Sequence, residues 1–201
     1  MNLPLFPLQM VLFPGGRLQL KVFEARYVDL VGDCLRSQQP FGVICLAQGA
    51  EAGPNPKGVR IENVGVMARI DDVDAEQQGI LRVQCTGLQR FRLNAAPKQA
   101  ANGLWSAPVA ALPDDERQAP AAAMQATVEA LAQAAAKLKE QGPLPFAEPM
   151  ALDDAGWVAN RWCELLPISL AAKQKLMELD DAGVRLKLVD EFLRSKQVVR
   201  G

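Results

Sequence analysis

Side chains able to do chemistry are scarce in this chain, and their spacing argues against an active centre. Histidine is absent from all 201 residues. Without imidazole there is no Ser–His or Cys–His nucleophile pair, no histidine base and no imidazole metal site. The four cysteines, Cys34, Cys45, Cys85 and Cys163, lie far apart and form no C-x-x-C pair. Cys45 and Cys85 sit in apolar runs, where a thiol serves as a small buried hydrophobe rather than a disulfide or metal ligand. Carboxylates and lysines remain, so enzyme chemistry is disfavoured rather than excluded.

Three clusters merit weighing. In Phe23-Glu24-Ala25-Arg26-Tyr27, Glu24 and Arg26 could act as an acid and an electrophilic clamp. Glu24, however, falls in the first turn of an expected helix, where the dipole favours a carboxylate, and Arg26 is expected to pair within the fold. Asp71, Asp72, Asp74 and Glu76 superficially resemble a metal loop. An EF-hand spreads its ligands over twelve residues with a glycine at the sixth and a glutamate at the twelfth, whereas these acids crowd together and stop. A polar hairpin loop is expected there, with no metal and no cofactor.

Arg82, Arg90 and Arg92 are expected on one outer strand face. Three phosphate contacts give a salt slope near ~2.7, at about 0.9 per contact, against the roughly 6–10 contacts of strong binders. The nearby acids oppose that charge, and no aromatic platform accompanies it. With a net charge of −1, the chain has no general attraction to nucleic acid or to an anionic membrane. Neither is an expected partner.

Positioning these groups requires elements, and the sequence marks them. After Pro14-Gly15-Gly16, a turn signal, Leu18, Leu20 and Val22 alternate with Arg17, Gln19 and Lys21, the mark of a half-buried strand. From Glu24 to Ser37 the period becomes helical, with Tyr27, Val31, Cys34 and Leu35 on one stripe. Phe41 to Leu46 reads as a buried strand and residues 53–58 as a loop. From Val59 to Leu112 the pattern is β, interrupted by the polar run 71–79 and by a break near Thr86-Gly87.

Composition shifts at Pro113. Ala119 to Lys139 is alanine-rich, with Met124, Val128, Leu131, Ala135 and Leu138 in a helical stripe. Asp153 or Asp154, Ser169, and Asp180 or Asp181 are placed to cap three further helices. In the first of these, Val158, Trp162 and Leu165 share a face; in the last, Val184, Leu188 and Phe192 do. Strands followed by helices argue α+β, with a β-rich subdomain over residues 1–113 and a helical subdomain over 114–201. The start has no basic region and its prolines interrupt the apolar run, so no signal peptide is read. No stretch nears the ~18 apolar residues of a membrane span. A cytoplasmic protein is expected.

The opening MNLPLFPLQMVLFPGG poses a puzzle, because it is apolar on both faces yet carries Pro4, Pro7 and Pro14. Proline cannot donate to a ladder. The segment is therefore expected at the edge or rim of a small closed or half-closed barrel, with Phe6, Leu12 and Phe13 in the core.

PLFPLQMVLFPGGRLQLKVFEARYVDLV resembles the opening signature of the Lon N-terminal domain, also called the Lon substrate-binding domain. Pro7, Phe13, Pro14, Gly15, Phe23, Glu24, Arg26 and Tyr27 carry that signature. The likeness continues through FGVICL, GVMARI, GLQRFRL and VANRWCELLPISLAAKQKLMELDD. Gln19 departs from it, standing where proline is usual, and Trp162 is bulkier than the usual residue. The resemblance implies a PUA-like β pseudo-barrel with one early helix, followed by a C-terminal helical bundle. It also implies recognition of unfolded or tagged polypeptides for an ATP-dependent protease.

The chain has no Gly-Lys pair and hence no P-loop, and its four serines, Ser37, Ser106, Ser169 and Ser195, match no part of the Lon Ser–Lys dyad motif. A stand-alone, non-enzymatic recognition module is thus expected, with an adaptor docking on a separate ATP-dependent protease as the rival reading. An RNA-binding domain or a carboxylate enzyme ranks lower. For peptide contact, Phe146 and Trp157 are the candidates, near a groove expected between barrel and bundle, although core packing is the weightier role for each.

Overall fold

The computed structural model describes residues 1–51, 58–77 and 79–199, the side chain of Glu76 excepted. The expected loop at 53–58 lies, apart from Gly58, outside the described residues. The chain divides into two compact units, Met1–Pro113 and Asp114–Gly201. With one large sheet and five α-helices, the fold is α+β.

The first unit holds β1 (Asn2–Leu8), β2 (Arg17–Val22), α1 (Ala25–Ser37), β3 (Phe41–Gln48), β4 (Arg60–Gln77), β5 (Ile80–Leu93), β6 (Lys98–Gln99) and β7 (Trp105–Ala111). Strand order is β2-β5-β4-β3-β1-β7-β6, and a further β5–β7 pairing closes five of these strands into a barrel. Within it, Leu3, Leu5, Ile44, Met67, Phe91 and Val109 form a core cluster.

The leader is not at an edge: β1 lies between β3 and β7. Its prolines fit because each neighbour covers only part of it. Pairing with β7 spans Asn2 to Leu5, and pairing with β3 spans Leu5 to Leu8. Main-chain N–H groups alternate sides along a strand, so Pro4 and Pro7, three apart, face opposite neighbours. Pro4 then falls before β3 begins to pair, and Pro7 after β7 has stopped. Phe6, Leu12 and Phe13 are buried as expected.

Three further expectations need correction. The acidic run 71–77 is strand, not loop, because β4 stays paired to β5 as far as Gln77 opposite Ile80. Near Thr86-Gly87 there is no break in β5 but a change of partner, from β2 up to Thr86 to β7 from Phe91 onward. There Gly15 donates to the Gly87 carbonyl and Gly87 to the Gly16 carbonyl, both at 2.8 Å. A register shift between Val66 and Ala68 lies opposite, and beyond it Arg90 is only 4% exposed, its Nη2 donating to the Pro113 carbonyl at 3.2 Å. The bulge has turned Arg90 away from the outer face, so the arginines form no continuous ladder.

The second unit holds a short 3-10 turn (Ala122–Met124), α2 (Gln125–Gln141), α3 (Ala155–Leu165), α4 (Leu170–Glu178) and α5 (Ala182–Ser195). Asp154, Ser169 and Asp181 cap the last three, each accepting a main-chain N–H from two or three residues on. In α5 the expected stripe is on the wrong face. Val184 and Leu188 are 45% and 44% exposed, while Leu186, Val189 and Leu193 are buried. The core side of α5 also carries Arg185 and Asp190, whose charges hid the stripe in the sequence.

Arg185 is buried because it is fully engaged. It donates to both oxygens of Asp115, to Asn160 Oδ1 at 3.1 Å, and to the carbonyls of Leu176 and Leu179. Asp190 is held by the Thr127 hydroxyl, whose carbonyl in turn accepts Trp162 Nε1 at 3.1 Å. Buried polar groups satisfied in this way specify how the helices pack.

Candidate functional site

In the first unit a cleft of about 360 Å³ runs beside β2. One wall is formed by the successive residues Leu18 to Phe23, and the other by Phe6, Leu8 and Met10. Every second residue lining a wall means the cleft faces a strand's side-chain surface. Successive residues mean it runs along the strand's edge. The cleft therefore lies between the backbone edge of β2 and one face of the β1 segment.

Tyr27 and Glu24, at the start of α1, close one end. Their neighbours form a brace rather than a reactive centre. Glu24 Oε2 lies 2.8 Å from Arg26 Nη2, and Arg26 Nη1 donates to the Gly103 carbonyl at 2.8 Å. The Arg26 guanidinium stands 4.6 Å from the Tyr27 ring centre, and that ring stacks on Phe6 at 3.8 Å and 10°. Burial pushes the Tyr27 hydroxyl above its ordinary range, the Arg26 charge pulling it partly back. A phenol so placed neither ionises nor abstracts protons at neutral pH.

A second hollow, of about 380 Å³, shares Tyr27 and Glu51 with the first and is lined also by Pro7, Arg26, Gln99 and Trp105. Among the described residues that line it, the one cation, Arg26, already serves Glu24 and Gly103. Among the described residues, no group of three or more Cys, Asp or Glu could hold a metal ion. Nor is any helix long and apolar enough to cross a membrane.

Of the signature residues, Pro7, Phe13, Pro14, Glu24, Arg26 and Tyr27 build the barrel and its brace, and Gly15 takes the left-handed φ of 76° that its turn requires. Phe23 alone points outward, at 58% exposure beside the cleft. The two peptide-contact candidates lie in the second unit. Phe146 is 0% exposed and packs edge-on against Trp157, with ring centres 5.5 Å apart. Arg161 stands 5.5 Å and 5.6 Å from those two rings. Phe146 is therefore core and offers a ligand no surface; Trp157 is half-buried. The sequence pattern missed the cleft, although Phe23, an aromatic out of phase with Leu18, Leu20 and Val22, was its visible sign.

Residues 2–195 match the family described as the ATP-dependent protease La (LON) substrate-binding domain. The chain belongs to that family. This LON substrate-binding domain is 26% identical over 201 residues to Lon protease 2 of Myxococcus xanthus, covering 98% of this chain and 24% of that protein. It spans about a quarter of the length of the curated relatives it matches. Among solved structures, it is similar to a Lon N-terminal domain protein from Xanthomonas campestris, with 32% identity, a TM-score of 0.73, and coverage of 94% of this chain and 96% of that one. The N-terminal domain of the Mycobacterium avium complex Lon protease shares the fold at 16% identity, with a TM-score of 0.58 over 96% of this chain and 98% of that one.

Proposed function

We propose that this LON substrate-binding domain recognises polypeptides and performs no chemistry on them. The observation that carries this reading is the family match across residues 2–195. Support comes from the site itself: an apolar cleft beside a strand edge, with the Glu24 carboxylate, Arg26 guanidinium and Tyr27 phenol locked in a brace. The clients are unfolded or tagged polypeptides, presented in the context of an ATP-dependent protease. The test is titration of fluorescently labelled, permanently unfolded proteins and of their folded counterparts. Saturable binding of the unfolded forms alone is the expected result; equal, negligible binding of both overturns the reading.

A second reading, docking on a separate ATP-dependent protease, is favoured by the exposed Val184 and Leu188 on α5, with the half-buried Phe192 beside them. Co-precipitation with one stoichiometric protease, abolished by Leu188→Asp, would support it; a scattered or empty pull-down counts against it.

A further inference from the structure

We infer that the outer edge of β2 is the place where a client adds as an extra strand, its apolar side chains entering the cleft. This inference rests on the polypeptide-binding reading above and specifies its site and mode.

The direction of the backbone groups follows from the ladder. The Gly16 carbonyl accepts from Gly87 N–H at 2.8 Å, and these two residues continue the register in which Arg17 faces Thr86 and Val22 faces Leu81. Main-chain groups alternate sides, so Leu18, Leu20 and Val22 bond to β5. Arg17 and Gln19 then direct their N–H and C=O groups away from it, and among the described residues β2 has no second neighbour in the sheet. Among the described residues, the main chain of Gln19 has no partner on that side. The usual guards of an edge are a proline, a bulge or charged side chains. Proline and bulge are absent from β2, whose register with β5 is unbroken, and Arg17 and Lys21 carry charge on either side of Gln19.

The occupant is an extended, apolar polypeptide segment without net charge at its centre. Backbone donors and acceptors on an open edge are matched only by another strand. The side chains of that strand meet Phe6, Leu8, Met10 and Phe23. Among the described residues the charged groups lining the cleft are Lys21, Glu24 and Glu51, and with Glu24 held by Arg26 the remaining ammonium and carboxylate balance, which suits a segment without net charge. At about 3.3 Å per residue the edge takes roughly six residues, the length of a peptide segment.

The test uses a fluorescein-labelled peptide of eight residues, alternating leucine and threonine with a lysine at each end. Its partners in the assay are the same peptide N-methylated at alternate residues and a version with glutamate at each end. Gln19→Pro removes an outward N–H and leaves the β5 ladder intact; Gln19→Ala changes the side chain alone. Wild type and Gln19→Ala are expected to bind alike, with Gln19→Pro about tenfold weaker, one lost hydrogen bond and its misfit. The N-methylated peptide is expected to bind wild type at least as weakly, and the version with glutamate ends about as well as the one with lysine ends.

If wild type binds unfolded proteins but Gln19→Pro binds the peptide undiminished, the edge inference is wrong and the function stands. If wild type binds no unfolded polypeptide, the function falls and this inference with it. Should Gln19→Pro fail to fold, equal binding of plain and N-methylated peptides by wild type overturns the inference. A wild-type dimer that Gln19→Pro converts to monomer would make a second copy the occupant, which also overturns it.

Discussion

Arg161 donates from Nη2 to Glu164 Oε1 at 2.9 Å, with the arginine side chain 0% and the glutamate 14% exposed. The other carboxylate oxygen, Glu164 Oε2, is buried with no hydrogen-bond partner among the described residues. Burial accordingly pushes the Glu164 carboxyl up to about 8, with the Arg161 and Lys173 charges offsetting this only in part.

That shift has a definite sign. A free glutamate titrates near ~4.3, so the folded chain holds an extra proton between that value and about 8. The stability this contributes is full below the unfolded value and is lost as pH rises through the folded one. Thermal unfolding of wild type from pH 5 to 9 should fall more steeply than that of Glu164→Gln. Parallel profiles would refute the assignment.

All four cysteines are buried and free. Burial pushes Cys34 up to about 11 and both Cys85 and Cys163 up to about 12, and raises Cys45 as well. The thiolate is the reactive form. A disulfide reagent at pH 8 should therefore find no fast thiol in the native protein and four in denaturant. A thiol reacting at the rate of free cysteine in the native state would contradict this.

Gly87 is set by proximity. A Cβ there would lie 2.4 Å from the Phe13 carbonyl oxygen and 3.1 Å from Leu12 Cγ. Gly87→Ala must displace main chain in the Pro14-Gly15-Gly16 turn and should cost about 1–3 kcal/mol. Phe13→Ala, emptying a wholly buried site, should cost roughly 3–5 kcal/mol. Urea midpoints of the two variants check both; an unchanged midpoint for either is the contrary outcome.

Arg185→Leu strips Asp115 of its arginine partner at both oxygens and removes one donor each from the carbonyls of Leu176 and Leu179. Breaking a buried pair from one side costs about 3–5 kcal/mol. Helical circular dichroism should melt earlier, while the β signal of the first unit holds. Joint, unshifted melting would show that Arg185 is dispensable.

Local chemistry was legible in the sequence. Period-2 alternation marked β2, aspartate and serine marked the starts of α3, α4 and α5, and the absence of histidine and of spaced acids narrowed the chemistry, because these depend on neighbours a few residues away. Partnership was not legible. Gly87 reads as a strand break, yet β5 runs on and exchanges β2 for β7; Arg90 turns inward past a bulge; α5 buries the face that carries Arg185 and Asp190. The cleft is of this second kind. Nothing within Arg17 to Val22 says which edge is covered, since the ladder joins residues far apart in the chain, Arg17 to Thr86 and Val22 to Leu81, and only the folded sheet decides which side of a strand is left without a neighbour.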